Sequence, residues 1–307
     1  MRQRLFARQS GDAPLLTGQE IAELTAAAPP HVSNRPLRRP RAGRPGEQVS
    51  PRHGSGSDFA EPRAYQPGDD PRRIDWRASA RSRAPLVRSY HAELSRPSCL
   101  VIDRRASMRF GTRTRLKVTQ AVRAALWLGG REVRAGGELA AVLLDDPCRW
   151  LPPSRGPRAL RRLTDWAVAP CPPREPGCGE PAWDKVLTSL RRRLPQGSEL
   201  TIVSDFSGLD TEDLGLLRAL GQHSECHAIR IVDRAERDPL PTAALELCWQ
   251  GERYEFNASD ASAAAELRHG QQDWDGFLAG EFRRAGISYR VLAADADSLA
   301  DLATVPR

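Results

Sequence analysis

The sequence predicts an α/β protein, a doubly wound and mostly parallel sheet flanked by helices and preceded by an irregular arginine-rich segment. Three observations predict it. Leu100–Ile102 is apolar throughout and Leu200–Val203 is apolar but for Thr201, as strands at the centre of a parallel sheet are when both faces are covered. Stretches with apolar residues at helical spacing separate those runs, as parallel crossovers require. Two of the central runs lead into an acid, Asp103 directly and Asp205 after Ser204, at the edge where sheets of this kind gather ligands.

The elements follow in order. Leu16–Ala28 reads as one short helix, with Thr17 as N-cap, Glu20 placed as in a capping box, and Pro29-Pro30 as its stop. Asn34–His53 interleaves arginines with prolines and reads as an extended arm. Leu86–Leu94 alternates like a strand. Leu116–Leu128 has helical spacing, with Gly129-Gly130 as a break near its end that Arg131–Arg134 extends past. Leu139–Leu144 and Cys148–Leu151 pair across an Asp145-Asp146-Pro147 turn. Helices at Arg158–Ala167, Trp183–Leu194 and Leu214–Leu220 alternate with strands at Leu200–Ser204 and Cys226–Val232. A hairpin at Leu245–Trp249 and Arg253–Phe256 precedes a helix over Ala261–Arg284, with a break near Gly270. Ile287–Leu292 is the last strand and Asp295–Leu302 the last helix. Three segments result: a helix and arm over 1–53, a loop and lead-in strand over 54–98, and the α/β domain over 99–307, whose C-terminal part reads as an extension.

Net charge is +7, and nearly all the positive charge is arginine, because Lys117 and Lys185 are the only lysines. That balance fits an acidic partner or nucleic acid. There is no apolar run of membrane-spanning length, and Met1–Phe6 lacks the apolar core of a signal peptide, so the expected location is the cytoplasm. The six cysteines form no CxxC; Cys171 and Cys178 flank a proline-rich loop, where free thiols are expected in that compartment. The histidines fall in separate contexts, and His223 and His227 straddle a helix end and a strand start. No nucleophile elbow, phosphate loop or dinucleotide fingerprint is present, so no enzyme activity is expected.

The densest stretch is Arg63-Ala-Tyr65-Gln-Pro67-Gly68-Asp69-Asp70-Pro71-Arg72-Arg73-Ile74-Asp75-Trp76, closing at Arg81. Its acids need arginines or backbone N–H groups, and Ile74 and Trp76 call for burial. One reading is a staple in which Asp69, Asp70 and Asp75 pair with Arg63, Arg72 or Arg81 while Trp76 packs on the domain. The other is a recognition surface. With Gly56-Ser-Asp58-Phe59-Ala-Glu61 before it, the stretch resembles the signature of the domain of unknown function 58 family over roughly Arg44 to Asp210. That resemblance implies a von Willebrand factor A-like domain and work beside a MoxR-type AAA+ ATPase.

From the residues alone, Asp103 and Asp205 set two carboxylates on one rim, oxygens that suit a hard cation such as Mg²⁺. In the von Willebrand A fold the resemblance implies, this rim is a metal-ion-dependent adhesion site, Asp-x-Ser-x-Ser completed by a threonine and an aspartate from later loops. Asp103 and Ser107 match that pattern, and Asp205 matches its last aspartate. Arg105 stands where the first serine belongs, and Gly179–Asp184 offers no threonine. Two readings stay open, Mg²⁺ held by Asp103, Ser107 and Asp205, or the Arg105 guanidinium in the metal's place. The resemblance thus implies a non-enzymatic protein-interaction adaptor that acts with the ATPase in protein assembly or remodelling. The alternative is nucleic-acid binding through the arginine arm, with steeply salt-dependent affinity.

Overall fold

Every residue of the strand Ser98–Asp103 is buried, and its side chains alternate between two separate cores, Leu100 and Ile102 in one, Cys99 and Val101 in the other. A strand covered on both faces needs helices on both, and the computed structural model supplies them. The structure describes residues 13–27, 63–65, 74–82, 84–87, 97–174, 179–237, 244–249, 252–257 and 260–303. Two units are distinguished, residues 1–32 with 96–307, and residues 33–95.

In chain order, α1 (Gly18–Ala27) comes first. The 33–95 unit then holds β1 (Arg63–Ala64), α2 (Trp76–Ser79) and β2 (Leu86–Val87). The α/β unit resumes with β3 (Ser98–Asp103), α3 (Lys117–Arg134), β4 (Glu138–Leu144), β5 (Arg149–Arg155) and α4 (Pro157–Ala167). It continues with α5 (Trp183–Arg193), β6 (Glu199–Ser204), α6 (Thr211–His223), β7 (Glu225–Val232) and α7 (Arg234–Arg237). The hairpin β8 (Ala244–Trp249) and β9 (Glu252–Asn257), α8 (Ala261–Arg284) and β10 (Ser288–Ala293) complete it.

The main sheet has the order β10-β7-β6-β3-β4-β5, parallel except for β5, which returns antiparallel to β4. This is a doubly wound, mostly parallel sheet covered by helices on both faces, the architecture that the sequence predicts. One core packs α1, α3 and α4 on the sheet through Leu24, Val122 and Leu163; the other packs α5, α6 and α8 through Leu187, Leu217 and Phe282. From β3 the chain winds outward to β4 and β5, then crosses to start again at β6. The loops after β3 and β6 therefore diverge over a crevice at their shared carboxyl edge.

Several boundaries differ from expectation for identifiable reasons. Gly129-Gly130 does not break α3. A Cβ on Gly129 would meet Leu163 Cδ2 at 2.9 Å, and one on Gly130 would meet the Thr25 carbonyl oxygen at 3.1 Å, so the pair lets α4 and α1 lie close. The first helix is capped as expected, Thr17 N donating to Glu20 at 2.8 Å and Glu20 N to Thr17 Oγ at 3.3 Å, but it belongs with the α/β unit rather than with the arm. β5 runs on through Pro152 and Pro153, which an edge strand tolerates. α6 begins earlier than its apolar pattern, at a capping box of Asp210 and Asp213. Gly270 does not interrupt α8. The final helix is only a short 3-10 turn, Ala300–Ala303, because side chains of Arg115, Gln120 and Arg123 take the Ala296 and Asp297 carbonyls that a longer helix would use. The arm lies outside the described residues, as does the lead-in strand beyond Val87.

Candidate functional site

The strands β3 and β6 place their terminal polar groups side by side at the crevice. Asp103 closes β3 and is wholly buried. Its carboxylate accepts from Arg105 three ways: the backbone N–H at 2.9 Å, Nε at 3.1 Å and a terminal guanidinium nitrogen at 2.8 Å. The Ser204 hydroxyl, at the end of β6, donates to it at 2.6 Å. The same guanidinium reaches the Ser207 carbonyl at 3.3 Å and lies 4.5 Å from the centre of the Trp183 ring. Burial by itself would lower the Arg105 pKa; Asp103 first, then Asp205 and Glu180, outweigh that and raise it.

The second acid is held by a second cation. Lys117, in the first turn of α3, sends its ammonium to Asp205 at 2.8 Å and to Glu236 at 2.6 Å, and is only 2% exposed. Asp205 also accepts from Ser107 Oγ at 3.2 Å and from Ser207 N at 3.0 Å. Burial would raise the Asp205 carboxyl, but Lys117, the Ser207 N–H and Arg105 hold it below the usual carboxylate range. Burial would lower the Lys117 ammonium, and Asp205 and Glu236 together hold it above its usual value. The rim is a buried network of alternating charge, Asp103–Arg105 and Asp205–Lys117–Glu236.

The backbone around this network is tightly specified. Phe206 follows Asp205 with φ of 60°, an unusual conformation for a bulky residue. Two things hold it there: its N–H donates to Ser204 Oγ at 2.8 Å, and its ring stacks on Trp183 and meets Phe282 edge-on. The loop before α5 contributes Glu180, which accepts from the Ala106 N–H. A second layer pins the loop after β3, where Arg104 and Arg109 both grip Asp145 at 2.9 Å.

The family model for the protein of unknown function DUF58 matches residues 61–271, a stretch that includes Asp103, Arg105, Lys117, Glu180 and Asp205. The chain belongs to the DUF58 family. Uncharacterised proteins of Mycobacterium tuberculosis and Mycobacterium bovis are each 30% identical to this DUF58 chain over 256 residues, which is 81% of it and 78% of theirs. Among solved structures, the conserved hypothetical protein BatB from Bacteroides thetaiotaomicron has 10% identity and a TM-score of 0.42, covering 68% of this chain and 95% of that one. A von Willebrand factor type A protein from Catenulispora acidiphila has 14% identity and a TM-score of 0.35, covering 60% and 43%.

The donor set of this DUF58 chain does not fit a metal as it stands. Both Asp103 oxygens face the Arg105 guanidinium, and Asp205 Oδ2 faces the Lys117 ammonium. A divalent cation bound to these carboxylates would stand beside two fixed positive charges, and Glu180 is spent on a backbone N–H. Ser107 and Asp205 do meet, as the sequence reading of the rim expects. Lys117, Ser204, Glu236 and Trp183 were not among the sequence-derived candidates. Lys117 alone carries a signal: it is one of two lysines in an arginine-rich chain, and a cation in a helix's first turn opposes the dipole unless acids compensate.

The signature residues lie in the 33–95 unit. Asp69, Asp70, Arg72 and the Arg63 side chain are outside the described residues. Tyr65 is half-buried, and its N–H donates to the Pro85 carbonyl at 2.8 Å. Asp75 caps α2, accepting from Arg77 N and Ala78 N at 3.1 Å each. Arg81 is exposed. Trp76 corrects the sequence reading, because it is not packed away but 70% exposed. The reason is its place at the start of α2, where Ile74 bridges to Val87 and Ser79 bonds to Leu86, leaving Trp76 on the outer side. His223 bonds the Ala219 carbonyl and His227 the Ser288 hydroxyl, so the two share no site. Among the described residues no group of three or more metal-ligating side chains converges.

Proposed function

We propose that this DUF58 chain is a non-enzymatic adaptor that works in the cytoplasm with a MoxR-type AAA+ ATPase in protein assembly or remodelling, and that its rim functions without Mg²⁺. One observation carries the reading: the crevice where an α/β sheet offers its ligand site is closed by the chain's own cations, Arg105 on Asp103 and Lys117 on Asp205. A catalytic carboxylate must be free to meet a reacting atom. These are buried and held by several donors each, which supports a structural role, fixing the loops after β3 and β6 in one conformation. A fixed loop surface suits recognition, because little ordering entropy is lost when a partner binds.

The ATPase partnership comes from the family resemblance, and the nucleotide chemistry belongs to that partner. Two observations support the location: no helix among the described residues is long and apolar enough to cross a membrane, and Cys99, Cys148, Cys171 and Cys226 are free thiols. The test is a nuclease-treated pull-down of the tagged chain from its native lysate, with Mg²⁺ in one arm and EDTA in the other. Equal recovery of an AAA+ ATPase in both arms is expected. Recovery only with Mg²⁺ would overturn the metal-free rim, and recovery in neither arm the ATPase partnership.

A further inference from the structure

Trp76 is the largest exposed apolar side chain among the described residues. Leaving an indole in water forgoes one of the largest apolar burials a side chain offers, and tryptophan is enriched at the centres of protein interfaces. A loose loop would make that exposure unremarkable, but this one is built. Asp75 caps the turn with two backbone N–H groups at 3.1 Å. Ser79 Oγ accepts from Leu86 N at 2.8 Å and donates to the Asp75 carbonyl at 2.7 Å. Ile74 bridges to Val87, and Asp75 N donates to the Leu86 carbonyl at 2.8 Å. The local bonds hold the turn in shape, and those to Leu86 and Val87 fix its inner side against β2 and leave the outer side to Trp76.

The outer side has a consistent charge. Ala80 stands one turn on from Trp76, its N–H donating to the Trp76 carbonyl at 3.0 Å, and Arg77 and Arg81 follow Trp76 and Ala80 in the chain. Trp76, Arg77, Ala80 and Arg81 are all exposed. The acid in this stretch, Asp75, has its carboxylate turned to the helix backbone. An apolar anchor flanked by two guanidiniums matches an apolar side chain flanked by carboxylates.

We propose that Trp76, with Arg77 and Arg81, is the docking site of this chain for an acidic segment of a protein partner. The proposal rests on the adaptor reading and gives that partner a place and a chemistry. An acidic protein segment is favoured over single-stranded nucleic acid because successive bases need successive stacking platforms, and among the described residues Trp76 is the only aromatic on this outer face.

The test selects a random peptide display library on the full chain, then measures the selected peptides against variants by fluorescence anisotropy, with oligothymidine as competitor. Selected peptides should pair an apolar residue with Asp or Glu. Trp76→Ala should weaken them on the order of 30-fold, while Trp76→Phe keeps most of the affinity. Arg77→Glu with Arg81→Glu should weaken them at least about tenfold, and this pair changes only exposed charges, so it decides the matter if Trp76→Ala fails to fold. Absence of acidic enrichment, equal binding by Trp76→Ala, or displacement by oligothymidine would overturn the proposal. Its fate is separable from that of the adaptor. Undiminished ATPase recovery by Trp76→Ala sinks the docking site alone, whereas peptides held at Trp76 with no ATPase recovered by wild type sink the ATPase partnership alone.

Discussion

At the scale of single residues, Lys117 decides how the rim is built. Its ammonium serves two carboxylates at once, Asp205 and Glu236, where the flat fork of an arginine suits one. Removing one partner of a buried pair leaves an uncompensated charge and typically costs about 3–5 kcal/mol. Lys117→Met should therefore lower unfolding stability by several kcal/mol in urea melts at neutral pH; a change under about 1 kcal/mol would show that water screens the network. Glu132 makes a separate prediction. Burial first, and then the nearby Glu199 charge, push its carboxyl up to about 7. The folded state therefore holds a proton that the unfolded state, with a carboxyl near about 4.3, has lost. This contribution to stability is present below about pH 4 and is lost as pH rises through about 7. Glu132→Gln should raise the urea midpoint at pH 8 and leave it nearly unchanged at pH 4. A lower midpoint at pH 8 would show that the charged form is the one the fold favours.

At the scale of elements, close approach rather than propensity sets which glycines are needed. α6 contains Gly215 and Gly221, and in an isolated helix either would gain about 1 kcal/mol on change to alanine. A Cβ at Gly215 meets nothing within 4 Å, whereas at Gly221 it would collide with the Ala285 carbonyl oxygen, a backbone atom that cannot turn aside. Gly215→Ala should raise the melting temperature and Gly221→Ala should lower it; a gain at both would mean that the chain after α8 shifts freely. The same contrast explains what was legible along the chain. The parallel strands and most helices declared themselves by period, and α1 by its capping box. The glycine pair in α3 read as a break because the packing of α1 and α4 that requires it lies far away in sequence.

At the scale of the whole molecule, each rim aspartate already faces a fixed cation, Asp103 the Arg105 guanidinium and Asp205 the Lys117 ammonium, so a divalent cation has little to add. Millimolar Mg²⁺ should leave the wild-type melting temperature unchanged. The Arg105→Ser, Lys117→Ser variant exposes Asp103, Ser107 and Asp205 to a cation, and should melt lower and be partly restored by Mg²⁺. A wild-type rise with Mg²⁺, reversed by EDTA, would mean that a cation displaces Arg105 or Lys117. Partner capture should likewise be indifferent to EDTA, because the loops are held by ion pairs rather than by a metal.

The sequence by itself determined the α/β alternation, the cap of the first helix, and the two acids at the ends of central strands. Each follows from neighbours a few residues apart, through side-chain period and backbone capping. It also raised, at Arg105, a cation two residues from its acid, close enough for the pairing to be anticipated. Only the tertiary structure decided that Lys117, 88 residues from Asp205, would share that carboxylate with Ser107, and that Glu236 would join them. It also turned Trp76 outward, because the bonds that orient α2 run to Leu86 and Val87, across a turn whose closure no local pattern announces. Charges pair and aromatics face inward or outward according to what the fold brings near them, and that proximity is a property of the folded chain.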